Sequence, residues 1–314
     1  MKISSLLVLF ILLSQFSYAQ KVDVYARPVQ HERSRDFDVR HYKISMNVDL
    51  DKKSLTGENE VTLTPLNDGL SKCILDAEFL VVNKVTDSNG KALLFEQTED
   101  QLIISLGRSY SHTDIIKFTI SYKLDQPVLG LRFFDETATN PQMASSDCFP
   151  NKLHQWVPCY DYPNDKVTNE LIITVDKKNK VLGNGRLVGV SEDAAKGTKT
   201  WHWSQEQPHS TYLFSLSVGD FEVIEDSLGS LPINYWVYHY HAEDAKRSFM
   251  KTPHMIDFFN KLYDYEYPWA KYDQIISPYM GGGAEATSAT LLGEGAVTDK
   301  NAEQDFSYER VIAH

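Results

Sequence analysis

His41-Tyr42-Lys43-Ile44-Ser45-Met46-Asn47-Val48-Asp49-Leu50 puts Tyr42, Ile44, Met46, Val48 and Leu50 on one parity and Lys43, Ser45, Asn47 and Asp49 on the other. Successive side chains of a strand point to opposite faces, so this stretch reads as a strand with one face in a core and one in water. Ile116, Phe118, Ile120, Tyr122 and Leu124 repeat the pattern. Further strands are expected at 60–65, 102–106, 170–175, 199–204 and 212–218. Turn signals fall between them: Asn67-Asp68-Gly69, Ser88-Asn89-Gly90 and Asn184-Gly185. Many short strands separated by turns predict an all-β domain over residues 20–228.

One more alternating strand is expected at 233–240, and then the period changes. Thr252-Pro253 reads as a helix start, with Thr252 as N-cap and Pro253 in the first turn. Met255, Ile256, Phe259, Leu262 and Tyr263 follow at helical spacing. A glycine run, Gly281-Gly282-Gly283, comes next, and Tyr308, Val311 and Ile312 resume helical spacing at the carboxyl end. A second, α/β domain is therefore expected over residues 229–314. Its last helix is only two to three turns long. Isolated helices shorter than ~12–15 residues are marginal in water, so this one needs more chain to pack on. The expectation is an amino-terminal fragment whose second domain is incomplete.

Residues 1–19 read as a signal peptide rather than as part of the fold. Lys2 precedes the apolar run 6–13, and Ser17 and Ala19 flank Tyr18 as small residues at a cleavage site. The run is shorter than the roughly 20 apolar residues a membrane span needs. An uncleaved anchor or a buried strand is the bland alternative. The mature chain is expected to begin at Gln20, secreted or periplasmic, with no membrane span. The net charge of −12 argues against a nucleic-acid surface or an anionic membrane as partner. Three cysteines, Cys73, Cys148 and Cys159, form no regular framework and no CxxC pair. They read as small buried thiols, with a Cys148–Cys159 disulfide as the alternative in an exported protein.

Three segments carry a family resemblance. Trp156-Val157-Pro158-Cys159-Tyr160-Asp161-Tyr162-Pro163-Asn164-Asp165-Lys166 resembles the W-F-P-C-x-D-x-P-x-x-K signature of aminopeptidase N-like enzymes. Gly282-Gly283-Ala284-Glu285-Ala286 resembles their G-A-M-E-N exopeptidase motif. Tyr308-Glu309-Arg310-Val311-Ile312-Ala313-His314 is similar to the apolar lead-in of the H-E-x-x-H zinc helix. The order and spacing also fit, and the resemblance covers nearly the whole chain after residue 20. It points to the aminopeptidase N and leukotriene hydrolase-like (gluzincin) family. The implied fold is a β-rich, saddle-like amino-terminal domain followed by the truncated start of a thermolysin-like α/β catalytic domain.

The resemblance also implies site residues. In H-E-x-x-H two histidines on one helix face bind zinc and the glutamate activates the zinc-bound water. Only the first, His314, is present as a metal ligand here. The general base would follow it, so no catalytic residue is expected within this chain and zinc should not bind it tightly. Glu285 is implied to pair with the free α-ammonium of a peptide substrate. Gly282, Gly283 and Ala284 would lie along that substrate. A carboxylate there selects for chain termini, because a mid-chain peptide brings no cation to offset its desolvation. Ala284 and Ala286 stand where the family has methionine and asparagine, both truncations. Asp147 lies where the family has an amine-binding glutamine, and His154 where an arginine is usual. Asp161, Pro163 and Lys166 are read as scaffold, an ion pair and a rigid turn. The expected activity is zinc-dependent aminopeptidase action in a full-length parent. The rivals are a secreted, non-catalytic β-rich binding module and a degenerate pseudo-peptidase.

Overall fold

All but the last residue of the alternating stretch at 41–50 falls within the strand Phe37–Asp49, near the middle of a seven-stranded sheet. The computed structural model describes residues 35–127 and 129–314. The expected leader, residues 1–19, lies outside the described residues. Across the sheet the strands run Arg186–Asp193, Thr198–Ser210, Lys166–Asp176, Phe37–Asp49, Ser54–Pro65, Ile116–Asp125, Val81–Asp87. Phe37–Asp49 pairs antiparallel with Ser54–Pro65 and parallel with Lys166–Asp176, where His41 faces Thr168. One parity of this sheet is the core: Tyr42, Ile44, Val61, Ile120, Leu171 and Ile173 are all fully buried. Each such aliphatic side chain contributes roughly 1.5–3 kcal/mol relative to exposure. Tyr42 is tolerated there because its hydroxyl accepts a hydrogen bond from Tyr160 N at 2.9 Å.

Two smaller sheets complete this β-rich amino-terminal domain. One orders Leu70–Asp76, Gln101–Tyr110, Phe95–Gln97, and the other Lys180–Gly183, Leu216–Gly219, Met143–Ser146, Leu131–Phe134. The edge strand Arg186–Asp193 is the exception to the burial rule: Leu187, Val188 and Val190 all stand exposed. All three cysteines are buried. Burial alone drives the Cys73 thiol pKa upward.

A five-stranded mixed sheet follows, ordered Glu222–Leu228, Leu231–Val237, Tyr272–Ser277, Ala289–Gly293, Gly283–Ala284. The hairpin of the first two strands straddles Gly229, so this sheet begins at Glu222. Leu231–Val237 and Tyr272–Ser277 are parallel and need a crossover. The helices Ala242–Phe249 and Thr252–Tyr263 lie within it. The first was not anticipated, because only Ala245 and Phe249 of its eight residues are buried. Its acidic first turn (Glu243, Asp244) and basic last turn (Lys246, Arg247) favour the helix through its dipole. No helix among the described residues is long and apolar enough to cross a membrane.

Two sequence expectations are corrected. Thr252 does not cap its helix: Lys251 occupies that position, and the buried Thr252 hydroxyl donates to Gln274 Oε1 at 3.1 Å. The strand expected at 212–218 is a 3-10 turn at Thr211–Leu213 followed by the short strand Leu216–Gly219. Side chains take over the ladder bonds here. Asn184 donates to Leu213 O (3.0 Å) and accepts from Ser215 N (2.7 Å), while Asp161 accepts from the Thr211 hydroxyl (2.6 Å).

Gly185 follows Asn184 with φ +74°, and an added Cβ would lie 2.0 Å from Ser204 O. Gly185→Ala is expected to cost roughly 3 kcal/mol, combining left-handed strain with a backbone clash. Urea unfolding monitored by tryptophan fluorescence checks this.

Candidate amine-binding site

The Gly282–Ala286 motif forms a short edge. Gly283–Ala284 pairs antiparallel with Ala289–Gly293, Gly283 opposite Leu292 and Ala284 opposite Leu291. Gly283 is needed for close approach: a Cβ would meet Leu292 Cδ2 and Val311 Cγ1 at 3.2 Å each. Its missing side chain therefore lets the Glu309–Ala313 helix sit against the strand. Gly282 O accepts from Gly293 N at 2.8 Å, anchoring the run from the other side.

After Ala284 the chain turns sharply. Ala286 N donates to Ala284 O (2.9 Å), and Ser288 adopts φ +59°. Buried polar groups hold this turn. Asn184, fully buried, donates to Thr287 O (2.6 Å) as well as to Leu213 O, and Gly185 N donates to the Ser288 hydroxyl (2.7 Å). From the other side Lys271 Nζ donates to Ser288 O (3.0 Å) and pairs with Asp273 at 2.9 Å. Asp273, with no solvent exposure, also accepts from Asn234 Nδ2 (2.8 Å) and Trp236 Nε1 (3.1 Å). Burial holds the Lys271 pKa below its ordinary value, and Asp273 opposes that shift only in part. The Lys271 ammonium also lies 4.8 Å from the Trp203 ring centroid, tying the turn to the large sheet.

Glu285 is exposed and makes no ion pair or side-chain hydrogen bond among the described residues. It borders two hollows at once. A pocket of about 250 Å³ is lined by Glu285, Asp147, Phe149, Phe214, Met280 and Leu291, among others. A wider cleft of about 710 Å³ is lined by Glu285, Arg310, Val311, His314, Trp269 and Tyr272, among others. Tyr212, Leu213, Gly283, Ala284 and Ala286 border both. The fold thus brings Glu285, Gly283, Ala284 and Asp147 to one pocket and adds His314 through the adjoining cleft. Gly282 stands one residue back, in the strand-end contact with Gly293.

Asp147 is not a free carboxylate. Its Oδ2 receives Lys152 Nζ at 2.6 Å, and its side chain is only 11% exposed. Its charge is matched before any ligand arrives. Asp161 also has a different partner from the one its spacing suggested. It holds the His154 ring at 2.8 Å, and Lys166 stands exposed. His209, next to this region, stacks on Phe214 at 4.8 Å and contacts Asn169 Oδ1 at 2.8 Å. Burial pushes its pKa down to about 3, so the ring is neutral.

Tyr212, Phe149, Met280 and Arg310 were missed as cleft residues. Tyr212 was read as strand, and its turn is set by Asp161 and Asn184 from distant segments. Among the described residues no group of three or more His, Cys, Asp or Glu side chains is gathered to hold a metal ion. A catalytic zinc takes three protein ligands. His314 alone does not make such a site.

Residues 39–213 match the Peptidase M1 N-terminal domain, which places this chain in that family. Its relatives include a leucyl aminopeptidase of Saccharolobus solfataricus, 26% identical over 247 residues, covering 77% of this chain and 30% of the relative. A leucine aminopeptidase 2-2 of Scheffersomyces stipitis is 25% identical over 296 residues, 89% of this chain and 43% of the relative. Transcription initiation factor TFIID subunit 2 of Drosophila melanogaster is 25% identical over 199 residues, 60% of this chain and 15% of the relative. The chain thus spans less than half the length of these curated relatives.

The Asn184 amide bonds both the Thr211–Leu213 turn and the Glu285 turn. Asn184→Ala strands a buried amide N–H and two carbonyls. The expected cost is about 3 kcal/mol, from the desolvation of unsatisfied groups. Guanidinium unfolding measures it, and faster amide exchange at residues 285–289 should accompany it.

Proposed function

We propose that this chain forms the amine-recognition side of a zinc aminopeptidase, with Glu285 receiving the free α-ammonium of a peptide substrate. The observation that carries the reading is an unpaired glutamate at the shared border of a small pocket and a wider cleft. Other carboxylates near the cleft, Asp147 and Asp273, are already matched by lysines. A peptide terminus entering the cleft therefore meets one uncompensated negative charge. The largely apolar pocket beside it suits the first residue's side chain, and the cleft past Tyr212 suits the remainder of the peptide. Gly282, Gly283 and Ala284 offer backbone along that path.

In this reading His314 is the first ligand of a zinc centre. The second histidine, a carboxylate ligand and the general base belong to sequence after His314, in a second domain of thermolysin-like type. The aminopeptidase relatives, of which this chain spans 30% and 43%, support it. The 314-residue chain by itself is then inactive. The leader-like residues 1–19 support a secreted or periplasmic protein, and amino-terminal sequencing of the mature protein should begin at Gln20.

A second reading, a non-catalytic module, is favoured by Ala284 and Ala286 and by the likeness to a transcription-factor subunit. Leucine p-nitroanilide hydrolysis by the product of the whole gene, read past His314, separates the two. The expected result is cleavage of the free amine and none of its N-acetyl derivative. Glu285→Gln should lower kcat/KM about 100- to 1,000-fold, the cost of leaving a desolvated ammonium without its partner. Equal cleavage of the acetylated substrate, or full activity in Glu285→Gln, overturns the role of Glu285. A stop codon directly after His314 leaves the binding module.

A further inference from the structure

The Thr211–Leu213 turn carries Tyr212, which walls both hollows, yet its own ladder bonds are few. What holds its first residue is the Thr211 hydroxyl, donating to Asp161 Oδ1 at 2.6 Å. Asp161 is 1% exposed, and its other oxygen is occupied twice by His154: by the backbone N–H at 3.1 Å and by ring Nδ1 at 2.8 Å. The second ring nitrogen, Nε2, faces Glu78 Oε2 at 3.4 Å. Glu78 in turn accepts from Gln155 Nε2 at 2.8 Å. The ring thus sits between two carboxylates.

The protonation chemistry of that arrangement is asymmetric. An imidazolium has two N–H donors, one for each carboxylate. A neutral ring has one. If it keeps the proton on Nδ1, it turns a lone pair towards the Glu78 carboxylate. If it keeps the proton on Nε2, it turns that lone pair towards buried Asp161. Neither tautomer satisfies both neighbours.

We propose that His154 is a proton-operated positioning residue: the doubly protonated ring ties Asp161 to Glu78 and so holds the Thr211–Leu213 turn in place, and loss of the ring proton loosens that wall of the cleft. The charged groups facing the ring are Asp161, Asp76 and Glu78, and Asp76 is itself bound to Asp161 N at 2.8 Å. Lys152, the nearest cation in sequence, is engaged by Asp147. Burial works against the ring's charge, but the Asp161 hydrogen bond and the three carboxylates overcome it and raise the His154 pKa above its ordinary value of 6.5. The sign follows. A histidine whose folded pKa is raised contributes stability that is complete below the unfolded value and is lost as pH rises through the folded one. The turn is therefore firm in acid and looser in alkali.

This goes beyond the amine-binding reading and does not require it, since the clamp acts on the wall whatever the cleft receives. The test is amide hydrogen exchange of the full 314-residue chain with no substrate present, from about pH 5 to about pH 9. Rates are corrected for the intrinsic pH dependence of exchange. The reporter is Phe214 N–H, which closes the turn on Thr211 O at 3.1 Å. Protection in the wild type is expected to fall about tenfold across the His154 titration, about 1.4 kcal/mol of local opening free energy. His154→Arg, a permanent cation, should keep the turn protected at every pH. Thr211→Val cuts the link between clamp and turn, so its protection should be low and flat while His154 still titrates by NMR. A flat wild-type profile overturns the proposal. So does a pH-dependent His154→Arg profile, or a Thr211→Val profile that still follows the His154 titration. Should His154→Arg fail to fold, the wild-type and Thr211→Val profiles decide alone.

Discussion

Burying the Asp273 carboxylate removes its water, at a cost of several kcal/mol even after relaxation. The fold meets that cost with three donors, from Asn234, Trp236 and Lys271. Two of them lie on the neighbouring parallel strand Leu231–Val237, so the register of the mixed sheet and the satisfaction of one charge are the same requirement. Lys271 is then committed, and its remaining reach goes to Ser288 O. A buried ion pair is weak evidence for stability, because well-packed apolar residues often do as well. What this one fixes is position: the turn bearing Glu285 has a single place to be.

The second hold on that turn comes from the opposite direction. Asn184 and Gly185 belong to a bend of the amino-terminal sheets, and both bond the Thr287–Ser288 backbone or side chain. The candidate site is therefore not a property of either sheet alone. The amino-terminal sheets supply Asp147, Phe149 and Tyr212, and the mixed sheet supplies the glycine edge and Glu285. This explains why a β domain matching the Peptidase M1 family extends into the cleft as wall and clamp.

Much of the fold was legible in sequence, because burial in a half-wet sheet imposes a period of two. Tyr42, Ile44 and Met46 announce a strand regardless of what packs on them. The helix Ala242–Phe249 was not legible, since it shows the core just Ala245 and Phe249. Nor was the turn at Thr211–Leu213. Its apolar run has strand composition, and its shape is decided by Asp161, 50 positions away in sequence, and Asn184, 29 from Leu213. Glu285 and His314 were singled out through motif resemblance, and both line the wider cleft. The pairing of Asp147 with Lys152 was legible only as a charge five positions away. Nothing local says that the two side chains meet inside a pocket wall.

The parallel pairing of Phe37–Asp49 with Lys166–Asp176 carries a consequence for synthesis. His41 meets Thr168 across 127 positions of sequence. At roughly 5–20 residues per second a ribosome takes about 6–25 s to produce that interval. During that time the first-made hairpin waits with one side of its central strand unpaired. Strand edges left open in this way are where nascent chains associate wrongly. The early strands are thus open to mispairing until the later ones have been made.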